Sequence, residues 1–379
     1  MSVNHLNELG TLRQSLWLDY IRRDLFASGE LQRLIEKDGV RGMTSNPAIF
    51  EKAIVESQIY NEEIRALAVA GKGAETIYEK LSQSDVQSAA DEFRPLYDKT
   101  DGSDGYVSLE VNPHLAHDTK ETIAEARRLW AALNRPNVLI KVPATAEGLS
   151  AIEQLLSEGI SVNVTLLFGL PRYRQVAEAY INGIASRAAQ GYAVNRLASV
   201  ASFFVSRIDA LVDPLIEKLM APDCKEAELA GKAHGQIAIA SAKVAYQIFK
   251  VVFGADQFTE LAKVHGARPQ RLLWASTSTK NPDYSDVKYM DALIGPDTVN
   301  TVPMETIDAY RDHGDPKARL EHHVKEAHWL LEQLPELNIN LDHVTRQLED
   351  EGVRKFCQPF DKLMQTLAQR SPKRLKKVS

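Results

Sequence analysis

The stretch Asn137-Val138-Leu139-Ile140-Lys141-Val142-Pro143-Ala144-Thr145 decides the fold. An apolar run of strand-forming residues is interrupted by one lysine and closed by a proline. Such a run reads as a buried strand of a parallel sheet, covered on both faces. A lysine fits poorly there, because burying its ammonium without a partner costs several kcal/mol. Either a partner meets the charge or the amine is wanted neutral. The strand alone does not choose.

Working outward, strand-like and helix-like segments alternate on both sides of it. Upstream lie a helix over 121–133, a strand over 106–112 stopped by Pro113, and a long helical segment over 48–99. Before these come a strand over 39–46 stopped by Pro47, and an amphipathic helix over 28–37 with Ser28 as its N-cap and Leu31, Leu34 and Ile35 on one face. A strand over 16–20 starts the series. Downstream, a helix over 148–158 ends at Gly159, and a strand over 160–168 leads to a helix over 173–190. A strand over 199–205, long helices to about Phe253, and strands over 272–276 and 298–302 follow. Strand–helix alternation of this length predicts an α/β fold, a (β/α)₈ TIM-type barrel more than an open sheet. No GxGxxG or P-loop argues for a nucleotide-binding sheet. From about 316 to 379 the chain is charged and helical, with apolar periodicity at Phe356, Phe360, Leu363 and Leu367. It reads as a helical extension packed on the barrel, making residues 1–379 one domain.

Composition fits. Of 379 residues 44% are hydrophobic and 25% charged, as in ordinary globular proteins. The net charge of −6 argues against broad nucleic-acid binding, and the basic cluster 373–377 reads as a solvated terminus. Cys224 and Cys357 are far apart and near no histidine at ligand spacing, so neither a disulfide framework nor a metal site is expected. No signal peptide is visible and no apolar run approaches membrane-spanning length. A cytoplasmic protein is expected.

In a barrel, alternate strand residues face the lumen and the helices. Val138, Ile140 and Val142 suit the helix layer, which turns Leu139 and Lys141 inward. The same split puts Trp17 with Asp19, Thr44 with Asn46, and Ser108 with Glu110 and Asn112. It also groups Ser161, Asn163 and Thr165, pairs Ser202 with Phe204, and pairs Ser276 with Ser278. Each polar residue has a bland reading: Asp19 as a cap, Asn46 as a turn before Pro47, Glu110 as an ion-pair partner. Together they converge on one mouth around one lysine, which favours an active site.

An ordinary lysine, with a pKa of about 10.4, is neutral roughly once in 2,500 molecules at pH 7. Desolvation can remove most of that penalty. A neutral amine among oxygen-bearing side chains can attack a carbonyl, and the resulting Schiff base is an electron sink for cleaving the adjacent carbon–carbon bond. Asp19 and Glu110 are candidate proton carriers. The competing reading is a buried salt bridge from Lys141 to Glu110 or Asp19.

The ordered motifs resemble the transaldolase family in its longer bacterial form. They are residues 42–47 (GMTSNP), 140–145 (IKVPAT) with Glu147-Gly148, 158–160 with 162–168 (VNVTLLF), and 201–207 (ASFFVSR). The resemblance covers nearly the whole chain. It implies transfer of a dihydroxyacetone unit from sedoheptulose 7-phosphate to glyceraldehyde 3-phosphate, giving erythrose 4-phosphate and fructose 6-phosphate. It also implies the non-oxidative pentose phosphate pathway, no cofactor, sugar phosphates as the partners, and a monomer or homodimer. By the same resemblance Lys141 is the Schiff-base lysine, Asp19 carries the substrate hydroxyl proton, and Glu110 with Thr165 handles a catalytic water. Asn46, Asn163 and Ser202 hold the dihydroxyacetone unit, Ser276 matches a family serine assigned to substrate binding, and Arg207 binds phosphate. One departure stands out: shorter members carry a second phosphate-binding arginine where this chain has Ser278, and Lys280 is the nearby replacement charge. A fructose-6-phosphate aldolase is the enzymatic rival, against which Glu110 and Phe204 speak. A sugar-phosphate binder without catalysis is the other rival, and it needs no buried lysine.

Overall fold

The structure, a computed structural model, describes residues 4–221, 223 and 225–370; Cys224 and the 373–377 cluster lie outside them. Its strands are β1 (Gln14–Asp19), β2 (Val40–Thr44), β3 (Tyr106–Glu110), β4 (Val138–Pro143), β5 (Val162–Leu167), β6 (Ser199–Phe204), β7 (Arg271–Ala275) and β8 (Thr298–Val302). They pair in chain order, all parallel, and close into a barrel as the alternation predicts. Closure leaves no sheet edge, and helices cover the outside, so β3, β4, β5, β6 and β8 are buried at every position. Gly42 shows how tight the lumen is: a Cβ there would stand 2.6 Å from the Trp17 indole.

Register places the chemistry. Glu110 aligns with Lys141 and Lys141 with Asn163, so three adjacent strands present them in one tier. Asp19 aligns with Thr44 across β1 and β2. Between β5 and β6 the register slips from Val164 to Leu167, and Leu166 takes a left-handed φ of 55°. A bulge of this kind breaks the pairing ladder locally, here just past Thr165, which keeps the inward face that alternation gives it.

The helices depart from the sequence reading in three places. The expected 28–37 helix is Glu30–Lys37, and a short helix that the sequence reading did not expect, Arg23–Ala27, precedes it, with Gly29 at φ 75° between them. Gly29 and not Ser28 is the N-cap, because only glycine takes that conformation freely; Ser28 Oγ instead accepts from Glu30 N at 3.3 Å. The 48–99 segment is Pro47–Glu56, Asn61–Val69 and Ala74–Lys99, broken at the extended Ser57 and the turn Gln58–Tyr60 and again near Gly71 and Gly73. Third, the helix Ile237–Gly254 has the length and hydropathy to cross a membrane, contrary to the expectation that no run does. It is a core helix: 67% of it is buried, against the Leu170–Ala189 and Val324–Gln333 helices, and Lys243 donates to His322 O at 2.7 Å.

The last described helix, Leu341–Gln369, lies over the mouth of the barrel. Phe356, Phe360, Leu363 and Leu367 are buried, as their spacing predicts, each worth about 1.5–3 kcal/mol. The 48–99 segment is what they pack on: Phe360 meets Tyr78 edge-on at 5.5 Å, and Tyr78 meets Phe50 at 5.9 Å. Gly352 lets this helix close on the bulge, since a Cβ there would be 2.9 Å from Leu166 Cδ2.

Candidate active site

A cavity of about 170 Å³ opens at the C-terminal ends of the strands. It is lined by Asp19, Asn46, Lys141, Thr165, Ser202, Arg207, Ser276 and Lys280, all expected from the sequence, and by Thr44, Phe204, Ser278, Thr301 and Phe356. Two expected residues, Glu110 and Asn163, do not reach the cavity surface; they lie directly behind it.

Lys141 is 5% exposed. Its Nζ donates to the Ser45 carbonyl at 3.2 Å, sits 3.6 Å from Glu110 Oε2, and lies 5.6 Å from the Phe356 ring centroid. The ion pair expected as the competing reading is therefore present, but it is long, and neither Glu110 oxygen has a hydrogen-bond partner. Burial pushes the Glu110 carboxyl up to about 7, against the pull of the Lys141 charge and with a push from Asp19. A carboxyl titrating there holds or releases a proton at neutral pH with little cost either way. Thr165 Oγ1, on the cavity wall, is also buried without a partner. Buried polar atoms left unpaired in this way cluster where chemistry happens.

Asp19 faces the same cavity from the end of β1, close enough for the Lys141 charge to act on it. Burial raises its carboxyl above the ordinary range, opposed by Lys141, by the Thr44 hydrogen bond, and by Lys280 and Arg207. Thr44 Oγ1 donates to Asp19 Oδ1 at 2.7 Å, and lies 2.7 Å from Thr301 Oγ1, so β2 and β8 fix one oxygen and leave the other for the cavity. Asn163 donates to Ser108 Oγ at 3.0 Å and accepts from Ser202 Oγ at 2.7 Å, a chain that orients Ser202 at the cavity wall. Asn46 Oδ1 caps the Pro47–Glu56 helix through Ile49 N at 3.0 Å, so it serves the turn and the cavity together.

The far end of the cavity is cationic. Arg207 is the second residue of the helix Ser206–Glu217, where β6 ends; its Nη1 is buried without a partner, and its guanidinium lies 5.2 Å from the Phe204 ring centroid. Lys280 Nζ donates to Ser278 Oγ at 2.9 Å. Among the described residues neither cation is paired with a carboxylate. Burial lowers both, and the charge of Arg207 lowers Lys280 further. Two cations that repel each other beside a helix N-terminus make a place for a phosphate. Ser276, at the end of β7, holds a left-handed φ of 55° with its Oγ 3.2 Å from Ser206 Oγ. Such strain in a non-glycine residue recurs at functional sites.

The sequence reading passed over Phe356, Thr301 and the Ser45 carbonyl. Phe356 gave only an apolar spacing signal, which buried core residues share. Thr301 is inward on β8, and alternation along 298–302 could have found it.

The raised Glu110 carboxyl carries a stability prediction. The folded chain holds a proton on Glu110 up to about pH 7, while an unfolded glutamate loses it near 4.5. Folding therefore becomes less favourable as pH rises through that window, by up to roughly 3 kcal/mol above it. Glu110→Gln, which mimics the neutral acid, melts a few degrees above the parent at pH 8, and the gap closes toward pH 4.5. Thermal melts at the two pH values check this; an equal gap at both contradicts it.

Comparison with known proteins agrees with this geometry. The family model described as Transaldolase/Fructose-6-phosphate aldolase matches residues 16–367. A protein named Transaldolase from Trichodesmium erythraeum is 48% identical over 378 residues, covering 98% of this chain and 99% of that protein. Transaldolase 2 of a Nostoc species is 49% identical over 372 residues, covering 97% of each. Transaldolase of Thiobacillus denitrificans is 44% identical over 369 residues, covering 96% of this chain and 99% of its own. The chain belongs to the transaldolase/fructose-6-phosphate aldolase family.

Proposed function

We propose that this chain is a transaldolase, moving a dihydroxyacetone unit from a ketose phosphate to an aldose phosphate through a Schiff base on Lys141. The observation that carries the reading is a buried lysine amine with Glu110 3.6 Å behind it, lining one cavity with Asp19, Arg207 and Lys280.

The steps follow from these positions. Glu110 takes a proton from the Lys141 ammonium, and the freed amine attacks the ketose C2 carbonyl. Glu110 then returns that proton to the carbinolamine hydroxyl, which leaves as water, with Thr165 Oγ1 to hold it. Asp19 accepts the proton of the C4 hydroxyl. The C3–C4 bond breaks, its electrons pass into the iminium, and an aldose phosphate leaves. The enamine on Lys141 attacks the acceptor aldehyde while Asp19 gives its proton to the new hydroxyl. Water, activated by Glu110, hydrolyses the imine. The substrate phosphate lies against Arg207 and Lys280, a stand-in for the arginine absent at Ser278.

Lys280→Ala raises the Michaelis constant for fructose 6-phosphate about tenfold, the worth of one charge-assisted hydrogen bond. Steady-state kinetics decide this, and an unchanged constant removes Lys280 from the site. Under the same reading the natural substrates are sedoheptulose 7-phosphate and glyceraldehyde 3-phosphate, in the non-oxidative pentose phosphate pathway of the cytoplasm. The enzyme works without a cofactor, as a monomer or homodimer, and the net charge of −6 fits small soluble partners and no nucleic acid. A coupled assay tests the reaction. Turnover of fructose 6-phosphate that depends on erythrose 4-phosphate supports transfer; free dihydroxyacetone released at turnover rate without an acceptor makes the enzyme an aldolase.

A further inference from the structure

At the opposite end of the barrel, where the strands begin, lies a second and larger cavity of about 410 Å³. Its volume is in the range of small-molecule sites. Five arginines line it: Arg13, Arg41, Arg196, Arg268 and Arg271. Among the described residues three carboxylates pair with them. Asp101 is shared between Arg196 at 2.7 Å and Arg268 at 2.9 Å. Asp104 is shared between Arg271 at 3.2 Å and Arg41 at 3.5 Å, and Asp297 meets Arg13 at 2.7 Å. Counting the described residues, two positive charges therefore remain uncompensated around one cavity, on a chain whose net charge is −6.

The floor points the same way. Trp17 lines the cavity, is fully buried, and its Nε1 has no hydrogen-bond partner. Arg271 is committed to the frame, donating to Ser15 Oγ and to Thr298 O at 2.7 Å each. Arg41, Arg196 and Arg268 hold weaker or shared partners and keep donors for a ligand. None of these groups enters the transfer chemistry. Trp17 and Leu139 nevertheless precede Asp19 and Lys141 on the same inward faces of β1 and β4, so a single layer separates the cavities.

The geometry points to a binding site for a phosphorylated small molecule carrying at least two negative charges, held by Arg41, Arg196 and Arg268 over Trp17. Guanidinium groups in this number suit bidentate contacts to phosphate oxygens, and the larger volume admits more than a sugar monophosphate.

Inorganic pyrophosphate, titrated calorimetrically into the full chain at low salt, tests it. The background is Arg207→Gln, which weakens the phosphate end of the catalytic cavity. The expected result is binding that persists in Arg207→Gln, weakens at least tenfold when Arg41→Gln and Arg268→Gln are added, and is not displaced by saturating fructose 6-phosphate. Because that combination removes two ion pairs, Arg196→Gln alone is the second variant; Arg268 still pairs with Asp101 there, and a several-fold weakening is expected. Absence of binding in Arg207→Gln, displacement by fructose 6-phosphate, or affinity unmoved by the arginine substitutions in a folded protein overturns the assignment.

Discussion

Lys141→Met loses at least about 10⁴-fold in transfer rate, the scale on which enzymes lose a covalent nucleophile. Methionine nearly fills the space of the lysine stem and puts a thioether near Phe356, where the ammonium lies 5.6 Å from the ring centroid, so the loss is chemical and the fold survives. The variant also removes the one cation within 4 Å of Glu110 among the described residues, so that carboxyl rises further and stays protonated at neutral pH. A salt-bridge role for Lys141 predicts something different. Loss of a buried partner there costs stability and leaves part of the activity. Rate measurements alongside thermal melts separate the two.

Asp19→Asn slows transfer by about 10²–10⁴-fold, the usual worth of a general acid–base group. The oxygen that accepts from Thr44 is present in asparagine too, so geometry is kept and only proton transfer is lost. Lys141 and Glu110 remain, so the imine still forms and then waits. Single-turnover mixing with fructose 6-phosphate therefore shows an imine that accumulates instead of cleaving. The pH profile gives a second check. Cleavage requires ionised Asp19, and burial raises that carboxyl, so the parent rate climbs with pH on an acid limb above the usual aspartate range. That limb is absent in Asp19→Asn. A variant that keeps the parent rate and limb assigns the proton transfer elsewhere.

Much of this site was legible in the sequence because strands obey a period of two. A lysine in an apolar strand fixed the inward face of β4, and the same alternation turned Asp19, Glu110 and Ser202 inward. What escaped depends on contacts distant in sequence or on irregular backbone. Alternation put Thr165 and Asn163 on one face but not their partners: Thr165, two residues nearer the strand end, lines the cavity, and Asn163 sits behind, bonded to Ser108 and Ser202. Phe356 reaches Lys141 from a helix more than 200 positions later, and its spacing signal is that of any buried stripe. Ser28 failed as a cap because Gly29 offered a left-handed turn that the pattern of apolar residues does not encode. Arg207 and Lys280 sit just past strand ends, where period-two reasoning no longer applies. Family resemblance supplied Arg207, departure from it at Ser278 pointed to Lys280, and both line one cavity, close enough for their charges to interact.

The central claim is covalent: substrate is carried on Lys141. The most direct measurement is borohydride reduction in the presence of fructose 6-phosphate, followed by peptide mass spectrometry. The account predicts a reduced dihydroxyacetone-derived adduct on Lys141 and on no other lysine, absent in Lys141→Met. An active preparation that yields no adduct, or one that carries it on another lysine, contradicts the account.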